Sequence, residues 1–219
     1  MTDRLPHALR SDALDNRGRI IEAARAVFAV DGLNVPMREV ARRAGVAPAT
    51  LYRRFPTKEM LVTEAFAEQM QACRAVVDEG LADLDPWHGF CLVIEKMCEL
   101  HARDRGFTAA LISAFPNAVD FEARREYALR AIDELARRAK ETGRLRPDFV
   151  LDDVLLVLMA NSGIHATSPT TQVTASRRFA ALAISAFQAS PDVSPLPPVV
   201  RLAPPASVVQ AQPRGLAPA

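Results

Sequence analysis

The sequence predicts an all-α protein, and three observations carry that prediction. Apolar residues recur at helical spacing along most of the chain. No run alternates apolar and polar residues between turn formers in the way a half-buried strand would. The glycines and prolines that interrupt the helical pattern stand where helices stop and start.

The first element lies in NRGRIIEAARAVFAVDG, behind a short flexible N-terminal arm. Ile20, Ile21, Ala24, Val27 and Phe28 form one stripe and Asp31-Gly32 closes it, which gives a helix of roughly four turns. In NVPMREVARRAGV, Met37, Val40, Ala41 and Ala44 share a face and Gly45 stops a helix confined to 36–44. Pro48 then stands where a first helical turn tolerates proline, and 50–55 form a short helix with Leu51 and Phe55 on its inner side. Two short helices joined by a tight turn at Gly45 are a helix-turn-helix.

Helices continue beyond Lys58. The stretch 59–84 carries Leu61, Ala65, Phe66, Met70, Cys73 and Val77 at helical steps; a helix opens at Asp85-Pro86 and closes near Gly106. A short FTAALISAF follows, then a long amphipathic helix from Pro116 to Gly143. These pack as a bundle with one side wet. The last two helices, in DDVLLVLMANSGIH and SRRFAALAISAF, are apolar on most sides. Helices of that kind need neighbours all round, most simply the same pair from a second copy in a two-fold dimer. From 190 to 219 the chain holds eight of its sixteen prolines and no helical period, so this tail is expected to be disordered. The expected organisation is a helix-turn-helix domain over 1–57, a second helical domain that dimerises over 58–189, and the tail.

The net charge of +1 conceals an asymmetry. Residues 1–60 hold eleven basic and seven acidic side chains, a balance of +4, and the rest of the chain a balance of −3. Between Pro36 and Lys58, six basic residues face Glu39 alone. A compact basic segment on a near-neutral protein points to a phosphate-rich partner. A helix entering the major groove needs donors and small or planar groups outside and an apolar support inside. Val40, Ala44, Val46, Leu51 and Phe55 supply the support. Ala47, Pro48, Ala49, Thr50, Tyr52, Arg53 and Arg54 are left facing outward, as a DNA-facing surface.

From Arg19 to about Leu61, the run RIIEAARAVFAVDG…REVARRAGVAPATLYRRFPTKEML resembles the N-terminal domain of TetR-type transcriptional regulators. The parts occur in order: the apolar first helix, Val40-Ala41, the turn Ala44-Gly45-Val46, Leu51-Tyr52 with Phe55, then Lys58 and Leu61. Pro36 and Ala47 depart from the pattern, standing where Ser or Thr commonly caps the second and third helices. The resemblance implies that Arg38 reaches a base edge or phosphate and that Ala49 and Thr50 meet base edges. It further implies that Tyr52 and Arg54 bind phosphate or bases and that Lys58 binds phosphate.

The segment GRLRPDFVLDDVLLVL is similar to the C-terminal domain of the SbtR-like subgroup. In family terms the protein is a ligand-responsive repressor that binds an inverted-repeat operator on double-stranded DNA as a homodimer, joined through its last two helices. The middle helices would enclose an unknown small-molecule effector. Candidates to line that pocket are Trp87, Phe90, Met97, His101, Phe107, Phe115, Tyr127, Asn161 and His165.

Other classes find less support. Cys73, Cys91 and Cys98 form no disulfide framework or metal-type pair and read as ordinary thiols of a reducing compartment. No signal peptide or membrane-length apolar run occurs, so a soluble cytoplasmic protein is expected. No nucleophile-elbow, P-loop or dinucleotide pattern suggests an enzyme, and no cofactor or metal is expected. The alternative is an interaction module whose basic helix pair binds a protein instead of DNA.

Overall fold

A computed structural model describes residues 5–112, 119–191 and 194–198. Ten helices follow one another among them: α1 Leu5–Asp31, α2 Met37–Ala44, α3 Pro48–Arg54, α4 Lys58–Ala65, α5 Ala67–Ala82, α6 Pro86–Arg103, α7 Arg105–Ile112, α8 Val119–Glu141, α9 Leu151–Ser162 and α10 Pro169–Phe187. α1 begins about three turns earlier than its apolar stripe predicts, so the backbone from 5 to 15 is helical instead of a flexible arm. A stripe marks only the packed part of a helix, whereas alanine, leucine and arginine sustain helix beyond it.

α1, α2 and α3 close around Ile20, Ala24, Phe28, Val40, Ala41 and Leu51, all nearly inaccessible to solvent. Gly45 ends α2 in the left-handed region at φ 65°. Its N–H donates to the Arg42 carbonyl and the Val46 N–H to the Ala41 carbonyl, at 3.2 and 3.0 Å, as in a Schellman cap. Neither Pro36 nor Ala47 offers a side-chain cap, and α3 starts on Pro48 in its first turn. Thr57 does cap α4, accepting from the Met60 N–H.

The helix expected over 59–84 is divided at Phe66. This side chain is fully buried between Phe28 and Phe107, with ring centroids 6.1 and 5.8 Å away. Asp85 caps α6 by accepting from the N–H groups of Trp87 and His88. Asp104 ends α6 and opens α7, its carboxylate accepting from the Phe107 N–H at 3.0 Å. The short turn after α5 makes α5 and α6 antiparallel. Arg138 near the end of α8 donates to the Leu81 and Asp83 carbonyls of that turn, so α8 runs alongside α5.

α9 buries Val154, Leu155, Val157, Leu158 and Asn161 but leaves Leu156 half exposed and Met159 two-fifths exposed. On α10, Leu182 is 60% exposed. After α10, Arg146 holds the returning chain. It pairs with Asp148 and donates to the carbonyls of Ala186 and Ser194, while the Leu196 N–H donates to Asp148. The beginning of the proline-rich tail is therefore fastened to the α8–α9 connection, a contact that composition alone does not reveal. Among the described residues no helix is long and apolar enough to cross a membrane.

Candidate functional site

α3 presents the predicted surface. Leu51 and Phe55 point into the core, and on the other side Ala47, Pro48, Ala49, Tyr52, Arg53 and Arg54 are exposed, with Thr50 half-buried. Arg38 of α2 is exposed beside them. Among the described residues, no hydrogen bond or ion pair engages the side chains of Arg38, Arg53 or Arg54. Arg42, by contrast, is spent on a bidentate pair with Glu39 at 2.5 and 2.9 Å, which holds the Glu39 carboxyl below its ordinary range. Lys58 is half-buried, and that partial burial lowers its pKa. Three guanidiniums, one phenol and an ammonium thus sit around a short helix, the guanidiniums without an internal partner among the described residues. Such groups can donate to phosphate oxygens and base edges.

Arg19 contributes a feature that the sequence pattern did not expose. From α1 it donates to the carbonyls of Ala44 and Gly45 at 2.7 and 3.2 Å. Its charge lies at the C-terminal end of α2, where helix carbonyls favour a cation. α1 is tied to α4 by Arg17 to Glu64 and by Arg25 Nε to the Ala65 carbonyl, the latter at 2.5 Å.

The nine effector candidates do not share one chamber. Trp87 and Phe90 belong to an aromatic cluster with Phe149 and Phe187, where Phe90 meets Phe149 edge-on at 5.3 Å. They are packing residues because α9's approach and the end of α10 close over them. Tyr127 faces outward, bonding Asp78 under the Arg74 guanidinium, and His165 is exposed with its Nδ1 2.6 Å from the Gly163 carbonyl. Phe115 lies outside the described residues. Met97, His101, Phe107 and Asn161 do come together within about one turn of α6 and are all buried.

His101 is fully buried, stacked on Phe107 at 4.9 Å, with Nδ1 2.7 Å from the Thr108 hydroxyl. Burial lowers its pKa to about 4, so the ring is neutral near pH 7. Asn161 donates to the Cys98 carbonyl, and the Ser176 hydroxyl bridges that carbonyl and the Asn161 Oδ1. Three buried side-chain atoms among the described residues have no partner: Gln69 Oε1, His101 Nε2 and Arg125 Nε. Each such atom costs about 1–3 kcal/mol. The thiols are inert by comparison: burial pushes Cys73 and Cys98 up to about 12 and Cys91 up to about 11. A separate open cleft of about 810 Å³ lies between α1, the end of α6 and the start of α10, and none of the nine candidates lines it.

A basic helix-turn-helix joined to a helical bundle is the architecture of a bacterial DNA-binding regulator. Residues 20–65 match the family of bacterial regulatory proteins, tetR family, and residues 85–185 match the C-terminal domain of SbtR-like transcriptional regulators. The HTH-type transcriptional regulator AqdR of Rhodococcus erythropolis is 30% identical over 153 residues, which cover 68% of this chain and 72% of AqdR. This chain belongs to the TetR family. The HTH-type transcriptional repressor KstR of Mycolicibacterium smegmatis is 34% identical over 103 residues, 46% of this chain; the match spans only half of KstR's length. FadR of Bacillus subtilis, solved in complex with stearoyl-CoA, shares the fold with a TM-score of 0.53 and 20% identity, covering 76% of this chain and 97% of that one.

Proposed function

We propose that the protein is a ligand-responsive transcriptional repressor that binds an inverted-repeat DNA operator as a homodimer. Arg38, Arg53 and Arg54 around Tyr52, exposed and without a hydrogen bond or ion pair among the described residues, carry this reading, because an apolar support holds them on two short helices of which α3 can enter the major groove. In this reading 1–57 bind DNA, with Ala47, Pro48, Ala49 and Thr50 against base edges and Lys58 on a phosphate. Residues 58–189 bind the effector and dimerise. Exposed Leu156, Met159 and Leu182 support a four-helix interface built from α9 and α10 of two copies. It would set recognition helices about 34–36 Å apart, or a multiple of that, along the duplex.

Selection of genomic fragments by the purified protein, followed by gel shift at two salt concentrations, tests this. The expected product is a short inverted repeat bound by a dimer, with affinity falling steeply as salt rises. Tyr52→Ala and Arg38→Ala are expected to abolish specific binding and leave the dimer intact. Salt-insensitive capture without a shared sequence would instead favour a protein partner for the basic face.

A further inference from the structure

Among the described residues, the three buried polar side-chain atoms that lack a partner lie at one end of the same helical layer. Gly80, Val93 and Leu135 mark a common level of α5, α6 and α8: a Cβ on Gly80 would lie 2.4 Å from Val93 Cγ2 and 3.2 Å from Leu135 Cδ2. From that level α5 runs back to Gln69, α6 runs forward to His101 and α8 runs back to Arg125. At the helical rise these are displacements of roughly 12–17 Å in one direction. Gln69 confirms the alignment by donating to Asp104 at the end of α6. Gln69, His101 and Arg125 therefore stand at heights within about one turn of each other along the bundle.

Arg125 is the unusual member. Its side chain is 3% exposed, yet Glu122 one turn earlier engages a single terminal nitrogen at 3.2 Å and Nε has no acceptor. His101 is similar: Thr108 occupies Nδ1 and leaves Nε2 unused in a fully buried ring. Apolar side chains stand beside them, with Met70 and Phe107 buried at the same level and Phe121 one turn from Arg125. A buried guanidinium edge without an acceptor is suited to a planar anion, which it can bind through two parallel N–H groups. Glu122 beside it disfavours a dianion such as phosphate.

We propose that the effector is an apolar monocarboxylic acid, its carboxylate held by Arg125 and its adjoining polar edge by His101. This rests on the reading that the bundle takes an effector. The apolar body lies along the layer that Met70 and Phe107 line, and the carboxylate supplies the acceptor that Arg125 Nε lacks. Arg125 gives charge selectivity, and the neutral His101 gives a second directional contact.

The test is calorimetric titration of the full chain with decanoate and with its uncharged isostere decanamide at pH 7. Decanoate is expected to bind saturably and roughly tenfold or more tighter than decanamide. Arg125→Gln should erase that preference by weakening decanoate alone, and Arg125→Lys should retain part of it. Equal binding of the two ligands by the unaltered protein would overturn the proposal without reliance on any variant. So would an unchanged preference in a folded Arg125→Gln, or the absence of saturable decanoate binding. Release of bound DNA by decanoate, decanamide and decylamine separates the two readings. If the amide or amine binds and releases DNA while decanoate does not, the effector reading stands and the acid falls. If none of the three does either, both fall.

Discussion

Gly45→Ala should be markedly more damaging than Gly32→Ala, although both glycines have positive φ, 65° and 71°. Alanine in the left-handed region costs about 1–2 kcal/mol at either position. At Gly32 nothing lies within 4 Å of the new Cβ, so strain is the whole effect. At Gly45 the Cβ would stand 3.0 Å from Arg19 Nη2, the nitrogen that donates to the Ala44 and Gly45 carbonyls. Arg19 is flexible and exposed and would yield, forfeiting those two bonds at a further cost of about 0.5–1.5 kcal/mol. The expected losses are about 1.5–3.5 kcal/mol for Gly45→Ala and about 1–2 kcal/mol for Gly32→Ala, with midpoint shifts of about 2–4 °C per kcal/mol for a chain of this size. Urea denaturation followed by circular dichroism measures both variants. Because Gly45 sets the angle between α2 and α3, only its variant should also weaken DNA binding at temperatures where it is folded. In an Arg19→Met background the excess cost at Gly45 should vanish, since the two changes remove one interaction. Equal losses for the two glycine variants would refute the role given to Arg19.

Two further outcomes can be measured independently. Leu182→Glu or Leu156→Glu would place a charge in the proposed α9–α10 interface and should weaken dimerisation on the order of 100-fold, while the monomer stays helical. Sedimentation over a dilution series reads this, and an unchanged dimer would remove that face from the interface. His101, its pKa lowered by burial from an ordinary 6.5 to about 4, stays neutral when folded in a range where the unfolded chain takes up a proton. Stability is therefore fully present above about pH 6.5 and declines on acidification toward pH 4, by up to ~3 kcal/mol. A folded His101→Gln should flatten that slope. It should leave the loss below about pH 4 from Asp148, whose carboxyl the Arg146 hydrogen bond holds down to about 2. A slope unaltered by His101→Gln would show that another group carries it.

The helix-turn-helix is legible because its signals are local. Gly45 ends α2, Pro48 starts α3, and the inward positions of Leu51 and Phe55 follow from helical spacing within a few residues. Arg19 is not legible: its acceptors lie 25 and 26 residues away, and only the packing of α1 on α2 brings them together. The same limit governs the bundle. Helical spacing shows that Trp87, Phe90 and His101 occupy inner faces of α6, but which of them meets Phe149 and which meets Phe107 depends on the heights at which α8, α9 and α10 cross. Arg125 reads from sequence as one more charge on an amphipathic helix, and burial alone sets it apart.

The structure also bears on how an effector could reach DNA. His101 stacks on Phe107, Phe107 approaches Phe66 to 5.8 Å, and Phe66 approaches Phe28 to 6.1 Å, which brings the series into α1. The α7 backbone follows the same route, since a Cβ on Gly106 would lie 3.1 Å from the Ala29 nitrogen. Close-packed rings of this kind respond to displacement by shifting together, because the interior holds little free space to absorb it. A ligand that moved His101 would thus act on α1 through Phe66, at the break between α4 and α5, as well as through α4 itself. α1 in turn carries Arg19, which holds the α2–α3 turn. The ligand needs only to favour the arrangement in which the two recognition helices of a dimer are wrongly spaced, and it weakens DNA binding by that preference and no more.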